Sequence, residues 1–216
     1  MIKRVGVLGS GIVGRVLANG FLKHGYDVRL GTRNTRNLDD WLEQAGEHGS
    51  VGSFEDAARY GDLVVLAVKG SVAEFVLDLA GAANLHEKTV IDTCNPISYD
   101  PPDQGVLRYF TDQNFSLMEH LQQKYSRIHF VKAFNSVGNA LMVNPVFQDG
   151  KPTMFICGNN DKAKADVKMI LDLFGWEAED MGGVESARPI EALAILWCIP
   201  GFRNHQWNHA FKFLKK

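Results

Sequence analysis

Arg4-Val5-Gly6-Val7-Leu8 runs directly into Gly9-Ser10-Gly11-Ile12-Val13-Gly14, and Val13, Val16, Leu17 and Phe21 then recur at helical spacing. A short apolar strand that passes through a G-x-G-x-x-G turn into a helix admits few folds, because each glycine has its own duty. Gly9 permits the tight turn, Gly11 lets the backbone approach a pyrophosphate, and Gly14 lets helix and strand pack closely. The free N–H groups and positive end of the helix then face the anion. The alternative is a strand–helix turn with no ligand. The order strand, turn, helix and second strand, the last over Tyr26–Leu30, favours dinucleotide binding.

The rest of the chain keeps that rhythm. Strand-like runs at Val51, Asp62–Val68, Thr89–Thr93 and Ile128–Phe134 alternate with helical stretches at Leu38–Gln44, Phe54–Arg59, Ser71–Leu79 and Phe115–Tyr125. The run D-L-V-V-L-A-V suits a strand buried on both faces. The pattern predicts an α/β fold, a Rossmann-type doubly wound and mostly parallel sheet. Past residue 150 the rhythm changes. Strand Thr153–Cys157, helix Asp161–Phe174 and strand Glu177–Asp180 are followed by an apolar helix, Glu185–Cys198, which Pro200-Gly201 stops. A final amphipathic helix is expected to hold Trp207, Phe211 and Leu214. With no repeat and no linker, residues 1–216 read as a single unit: a core over 1–150 and a small α/β extension over 151–216 docked on the sheet.

Composition narrows the partners. A chain of 216 residues is long enough to bury roughly 70% of its unfolded surface without staples. A net charge of -2 argues against nucleic acid or an anionic membrane as the main partner. Cys94, Cys157 and Cys198 form no C-x-x-C pair, which points to a reducing compartment without a disulfide framework or structural zinc. Val5–Leu8 is too short for a signal-peptide core, and no run approaches the ~20 apolar residues of a membrane span. A cytoplasmic protein is expected. His205 and His209 stand four apart on the expected last helix, but no third ligand accompanies them, so a surface helix is preferred and no metal is expected.

NAD-selective folds place a carboxylate at the end of the second strand, for the ribose 2′-hydroxyl. Here that strand ends Leu30-Gly31-Thr32-Arg33-Asn34, with Arg36 one turn on and no acidic residue. A hydroxyl and a guanidinium suit a 2′-phosphate, and an arginine plane also stacks on adenine. The reading is NADP(H); the alternative is that Arg33 and Arg36 are solvated cations.

In an open parallel sheet the ligand lies across the carboxyl ends of the strands. That places Ala67, Val68 and Lys69, Asn95-Pro96, and Lys132–Ser136 at the nicotinamide end. Ala67 and Val68 leave room for a flat ring. Asn95 and Asn135 can hydrogen-bond a carboxamide or an acceptor and are the candidates for a catalytic role. In the competing reading Pro96 ends a strand, Asn95 shapes its turn, and Lys69 and Lys132 are surface lysines. Cys94 falls near the expected ring but has no base to activate it. Trp197, Phe202, Trp207 and Phe211 read as core or a dimer contact.

The motifs G-S-G-I-V-G, G-T-R, D-T-C-N-P, V-K-A-F-N-S and I-C-G-N-N resemble, in this order, the NADP oxidoreductases dependent on coenzyme F420, a deazaflavin. K-A-F-N-S and E-D-M-G-G are also similar to the cytosolic reductase domain of six-transmembrane metalloreductases. The resemblance spans nearly the whole chain. It implies a compact protein that lays the nicotinamide against FMN, FAD or coenzyme F420 as co-substrate. Carried over by position, it implies that Ser10, Ile12, Val13, Thr32 and Arg33 hold NADP. Ala67, Val68, Asn95, Phe134 and Asn135 would border the nicotinamide.

Hydride transfer between stacked rings needs them ~3–3.5 Å apart and aligned, and the cofactors carry the chemistry. An absent catalytic triad is consistent with that. Two alternatives stand beside it. One is an imine, keto-acid or pyrroline-type reductase with Lys69 or Lys132 as proton donor. The other is a non-catalytic NADP(H) redox sensor. A homodimer through the C-terminal helices is expected on fold-level analogy.

Overall fold

In the computed structural model, which describes residues 2–216 and Asn37 by its backbone alone, six strands form one parallel sheet. They are β1 (Arg4–Leu8), β2 (Asp27–Gly31), β3 (Gly49–Gly52), β4 (Leu63–Leu66), β5 (Thr89–Asp92) and β6 (His129–Lys132), in the order β3-β2-β1-β4-β5-β6. Side chains alternate across the strands, so β1, β4, β5 and β6 each feed two cores. Val5, Val7, Leu63, Val65, Ile91 and Val131 face one side, where α1 (Ile12–Lys23), α2 (Asp39–Ala45) and α6 (Asp161–Leu173) pack. Leu8, Val64, Leu66, Val90 and Phe130 face the other, under α3 (Phe54–Tyr60), α4 (Ala73–Ala80), α5 (Leu117–Lys124) and α7 (Ala187–Asn204). This is the doubly wound arrangement. The direction in which successive strands are added reverses between β1 and β4, and the site lies there.

Past residue 150, β7 (Thr153–Ile156) and β8 (Glu177–Asp180) pair in parallel. Their sheet meets the main one through an antiparallel bridge in which Lys132 N donates to the Cys157 carbonyl at 3.0 Å. Phe174 and Trp176, on the loop before β8, lie in the same core cluster as Phe21 and Phe134, with Phe21 and Phe174 ring centroids 5.0 Å apart.

The C-terminus departs from expectation twice. Pro200 does not stop α7, which continues to Asn204 and ends at His205 in a left-handed conformation. Proline removes one backbone bond and crowds the preceding turn. Here only the last turn follows it, and Gly201 leaves room for the Trp207 ring, which a Cβ at 201 would meet at 2.3 Å. The expected final helix does not form. Residues 205–216 run without helix beside β7: Thr153 N donates to the Phe211 carbonyl at 2.9 Å, and Phe213 N donates to Thr153 Oγ1 at 3.0 Å. Contacts to a distant strand outweigh the local helical spacing of 207, 211 and 214. His205 and His209 therefore share no helix face; His209 stacks on Trp197 at 5.0 Å. Among the described residues no His, Cys, Asp or Glu cluster is arranged for a metal ion, and no helix is long and apolar enough to cross a membrane.

Candidate active site

The glycine turn after β1 opens a groove of about 720 Å³ across the carboxyl edge of the sheet. Gly9 adopts φ +127°, and a Cβ there would stand 2.2 Å from the Ala67 carbonyl oxygen. A Cβ at Gly14 would stand 2.0 Å from the Gly9 oxygen, so helix and turn are in direct contact. Around Gly11 nothing lies within 4 Å of an added Cβ. That side of the turn is open. Gly11 is also the N-cap of α1, where no side chain caps the helix and no acidic residue occupies the first turn. A helix start without a capping side chain suits an external anion.

The end of β2 forms the far wall. Gly9 N donates to the Gly31 carbonyl and Ser10 Oγ to Thr32 Oγ1, at 3.1 and 3.0 Å, which tie the turn to the strand end. Arg33 lines the groove, is exposed, and makes no ion pair or hydrogen bond with any described residue. With Lys69 it gives the groove two cations, and none of the described lining residues is a carboxylate. Arg36 does not belong to this wall. It stands exposed on the next turn, whose start is set by the Asn34 side chain accepting from Arg36 N.

At the opposite end, Val68, Lys69 and Thr93 also line a second cavity of about 290 Å³, completed by Asn95, Ile97 and Tyr99 among others. Ala67 lines the groove alone. Asn95 Nδ2 donates to the Asn135 carbonyl at 2.7 Å, and Asn135 Nδ2 donates to Asn95 Oδ1 at 3.2 Å and to the Ile190 carbonyl at 2.8 Å. Asn95 thus faces the cavity with its amide fixed from behind.

Phe134 and Asn135 line neither cavity. Phe134, at φ +59°, turns its ring into the core 6.1 Å from Phe174, and Asn135 is buried behind Asn95. Positive φ in a bulky residue is strained and holds only where packing over-determines it. Lys132 is not a surface lysine either. It is fully buried, with Nζ 2.7 Å from Asp92, 2.8 Å from Glu191 and donating to the Cys94 carbonyl at 2.8 Å. Burial alone would lower its pKa, but the two carboxylates reverse that and hold it well above the ordinary lysine value. It has no path to a ligand as a proton donor. Cys94 is buried in the core, not beside the ring position; burial, with Asp92 adding to it, pushes its thiol well up and leaves it inert.

Sequence reasoning missed Phe54, Thr93 and the wall at the start of α4, formed by its N-cap Val72 with Phe75 and Val76. The strand–helix connection after β4 flanks the switch point in any such sheet, and that rule would have found the α4 residues. Tyr99 sits in an irregular proline-bearing stretch, where no periodicity signals it.

Residues 4–96 match the family model of NADP oxidoreductases, coenzyme F420-dependent. A solved protein of Arthrobacter sp. FB24, described as a candidate F420-dependent NADP-reductase, superposes with a TM-score of 0.90 at 30% identity, over 100% of both chains. Metalloreductase STEAP3 of Rattus norvegicus is 28% identical over 91% of this chain and 38% of its own length. Metalloreductase STEAP2 of Homo sapiens is 27% identical over 88% of this chain and 36% of its own. The chain therefore spans under two fifths of these curated relatives. An imine reductase of Aspergillus terreus, solved with NADPH4, shares the fold at a TM-score of 0.66 and 15% identity, over 91% of this chain and 60% of that one.

Proposed function

Since the chain belongs to the family of coenzyme F420-dependent NADP oxidoreductases and is an NADP-dependent oxidoreductase, we propose that its acceptor is a flavin or deazaflavin ring. FMN, FAD and coenzyme F420 are the acceptors in view. One observation carries the reading: a groove that starts at a helix end without a capping side chain, holds two cations and no described carboxylate, and opens into a second cavity beside Val68 and Asn95.

In this reading the backbone of Ser10, Ile12 and Val13 receives the pyrophosphate. Thr32 and Arg33 hold the 2′-phosphate, and the Arg33 plane covers one adenine face opposite Val72 and Phe75. Ala67 and Val68 leave room for the nicotinamide, and Asn95 orients its carboxamide. Asn135 acts behind Asn95 by fixing its amide. NADP(H), when bound, supplies the hydride chemistry; the chain supplies position and charge. NADPH is mixed anaerobically with FMN, FAD and a deazaflavin, and its absorbance is followed. Oxidation well above background with at least one acceptor is expected, and none with any of them overturns the reading.

A further inference from the structure

Ser71 and Tyr99 line the second cavity alone, and Lys69 reaches them from the edge of the groove. Tyr99 is 78% exposed, yet its hydroxyl meets Ser71 Oγ at 2.9 Å. The chain just before it is fixed by the Ile97–Tyr109 bridge, by Ser98 N donating to the Arg108 carbonyl at 2.8 Å and by Phe110 N donating to the Pro96 carbonyl at 2.9 Å. An aromatic residue this exposed and still held at both ends forms the outer wall of the second cavity. Lys69 lines both groove and cavity and pairs with no described carboxylate; its ammonium lies 5.8 Å from the Tyr99 ring centroid. A flat apolar face and an uncompensated positive charge therefore meet where one compartment passes into the other.

Resting on the reading of the groove given above, we propose that this cavity selects its acceptor by planarity and by the charge it gains on reduction. Tyr99 stacks on the acceptor ring, and Lys69 is the catalytic residue that stabilises its new negative charge. As the C4–H bond of NADPH breaks, the hydrogen and both electrons bond to the acceptor ring and NADP⁺ is left. The neutral ring becomes an anion, discharged later by a proton from water. A fixed cation where charge develops is worth more in the transition state than before it. An iminium substrate behaves oppositely: it arrives cationic and leaves neutral, so Lys69 opposes its binding and gains nothing as it reacts.

The test uses K69M and Y99A, with K69R as the conservative control. NADPH affinity is read by fluorescence. Binding of 5-deazariboflavin and FMN to the NADP⁺-saturated protein is read by equilibrium titration, beside turnover. NADPH affinity should stay within about threefold in Y99A and fall less than kcat does in K69M, and Y99A should weaken both ring probes about tenfold or more. K69M should lower kcat for the ring acceptor about tenfold or more, and K69R should restore most of it. If the wild type binds neither ring, or the variants bind them as well as it does, the subsite is overturned whether or not turnover is seen. If the wild type binds the rings without turnover and Y99A loses them, the subsite stands and the proposed reaction falls. A loss of NADPH affinity in K69M as large as the kcat loss assigns Lys69 to the cofactor and overturns its role here.

Discussion

Helices α1 and α5 both start at the carboxyl edge of the sheet, and they treat their first turns in opposite ways. At α5, Ser116 and Glu119 form a reciprocal capping box, with Ser116 N donating to Glu119 at 2.7 Å and Glu119 N to Ser116 Oγ at 3.1 Å. Glu191, reaching across from α7, accepts from Leu117 N and Met118 N at 3.0 Å each. At α1 a glycine stands at the cap, no side chain caps it, and the first turn holds no acidic residue. The demand is the same in both places: several N–H groups without intrahelical partners and a positive dipole end. One helix meets it with an anion built into the fold. The other leaves it for an anion from outside, which is why the groove is at α1 and not at α5.

Breaking the α5 side should have the largest effect. Glu191→Ala removes a carboxylate that faces Lys132 at 2.8 Å and caps two backbone N–H groups in a fully buried place. Lys132 keeps Asp92, but the two N–H groups left buried and unpaired together cost about 2–6 kcal/mol. Urea unfolding should show a loss in that range, and E191Q, which keeps the shape and part of the hydrogen bonding, should lose less. A change under 1 kcal/mol in E191A would mean that Asp92 alone satisfies Lys132 and that α5 needs no internal anion.

Arg33→Ala tests the α1 side. A charge-assisted hydrogen bond is worth about 1.5–3 kcal/mol, so NADPH affinity should fall roughly 10- to 150-fold while NADH affinity barely moves. Equal losses for both nucleotides would show that Arg33 does not read the 2′-phosphate.

A third pair sharpens the comparison within one turn. Gly14→Ala forces a Cβ onto the Gly9 carbonyl at 2.0 Å, and overpacking of this kind costs about 1–3 kcal/mol of stability. Gly11→Ala meets nothing within 4 Å. Its unfolding free energy should change by only about 0.5 kcal/mol, while NADPH binding weakens because the pyrophosphate needs that space. Thermal melts with and without NADPH separate the two.

What could be read from the sequence was whatever neighbouring residues decide among themselves. The glycine turn, the bounds of β1 and β8, and the two-faced strands follow from local order and alternation. The Lys132 cluster does not, because Asp92, Lys132 and Glu191 converge from β5, β6 and α7. One signal was present: Asp92 and Lys132 end neighbouring strands and face each other in register. Residues 205–216 mislead for the same reason, since Trp207 answers to Gly201 and Phe211 to Thr153, not to each other. Of the groove lining, the residues on the turn and just after β2 were legible. Phe134 and Asn135 were placed one layer too far forward, because a left-handed residue after β6 redirects the chain where strand alternation would not.

A further effect on the α5 side concerns the capping box itself. Ser116→Ala should cost about 1 kcal/mol, the usual worth of a serine N-cap, far less than E191A at the same helix end. The Glu119 carboxyl lies below the ordinary glutamate value: burial pushes it up, but hydrogen bonds from Arg188 and Ser116 outweigh that. A carboxylate lowered in the folded state contributes stability that is present above its unfolded pKa, about 4.3, and is lost as pH falls through the lower folded value. Urea midpoints followed from pH 7 to pH 3 should therefore decline on the acid side in the wild type, and E119Q should decline less steeply. Parallel declines in the two proteins would place the acid sensitivity in other carboxylates and leave the box as geometry alone.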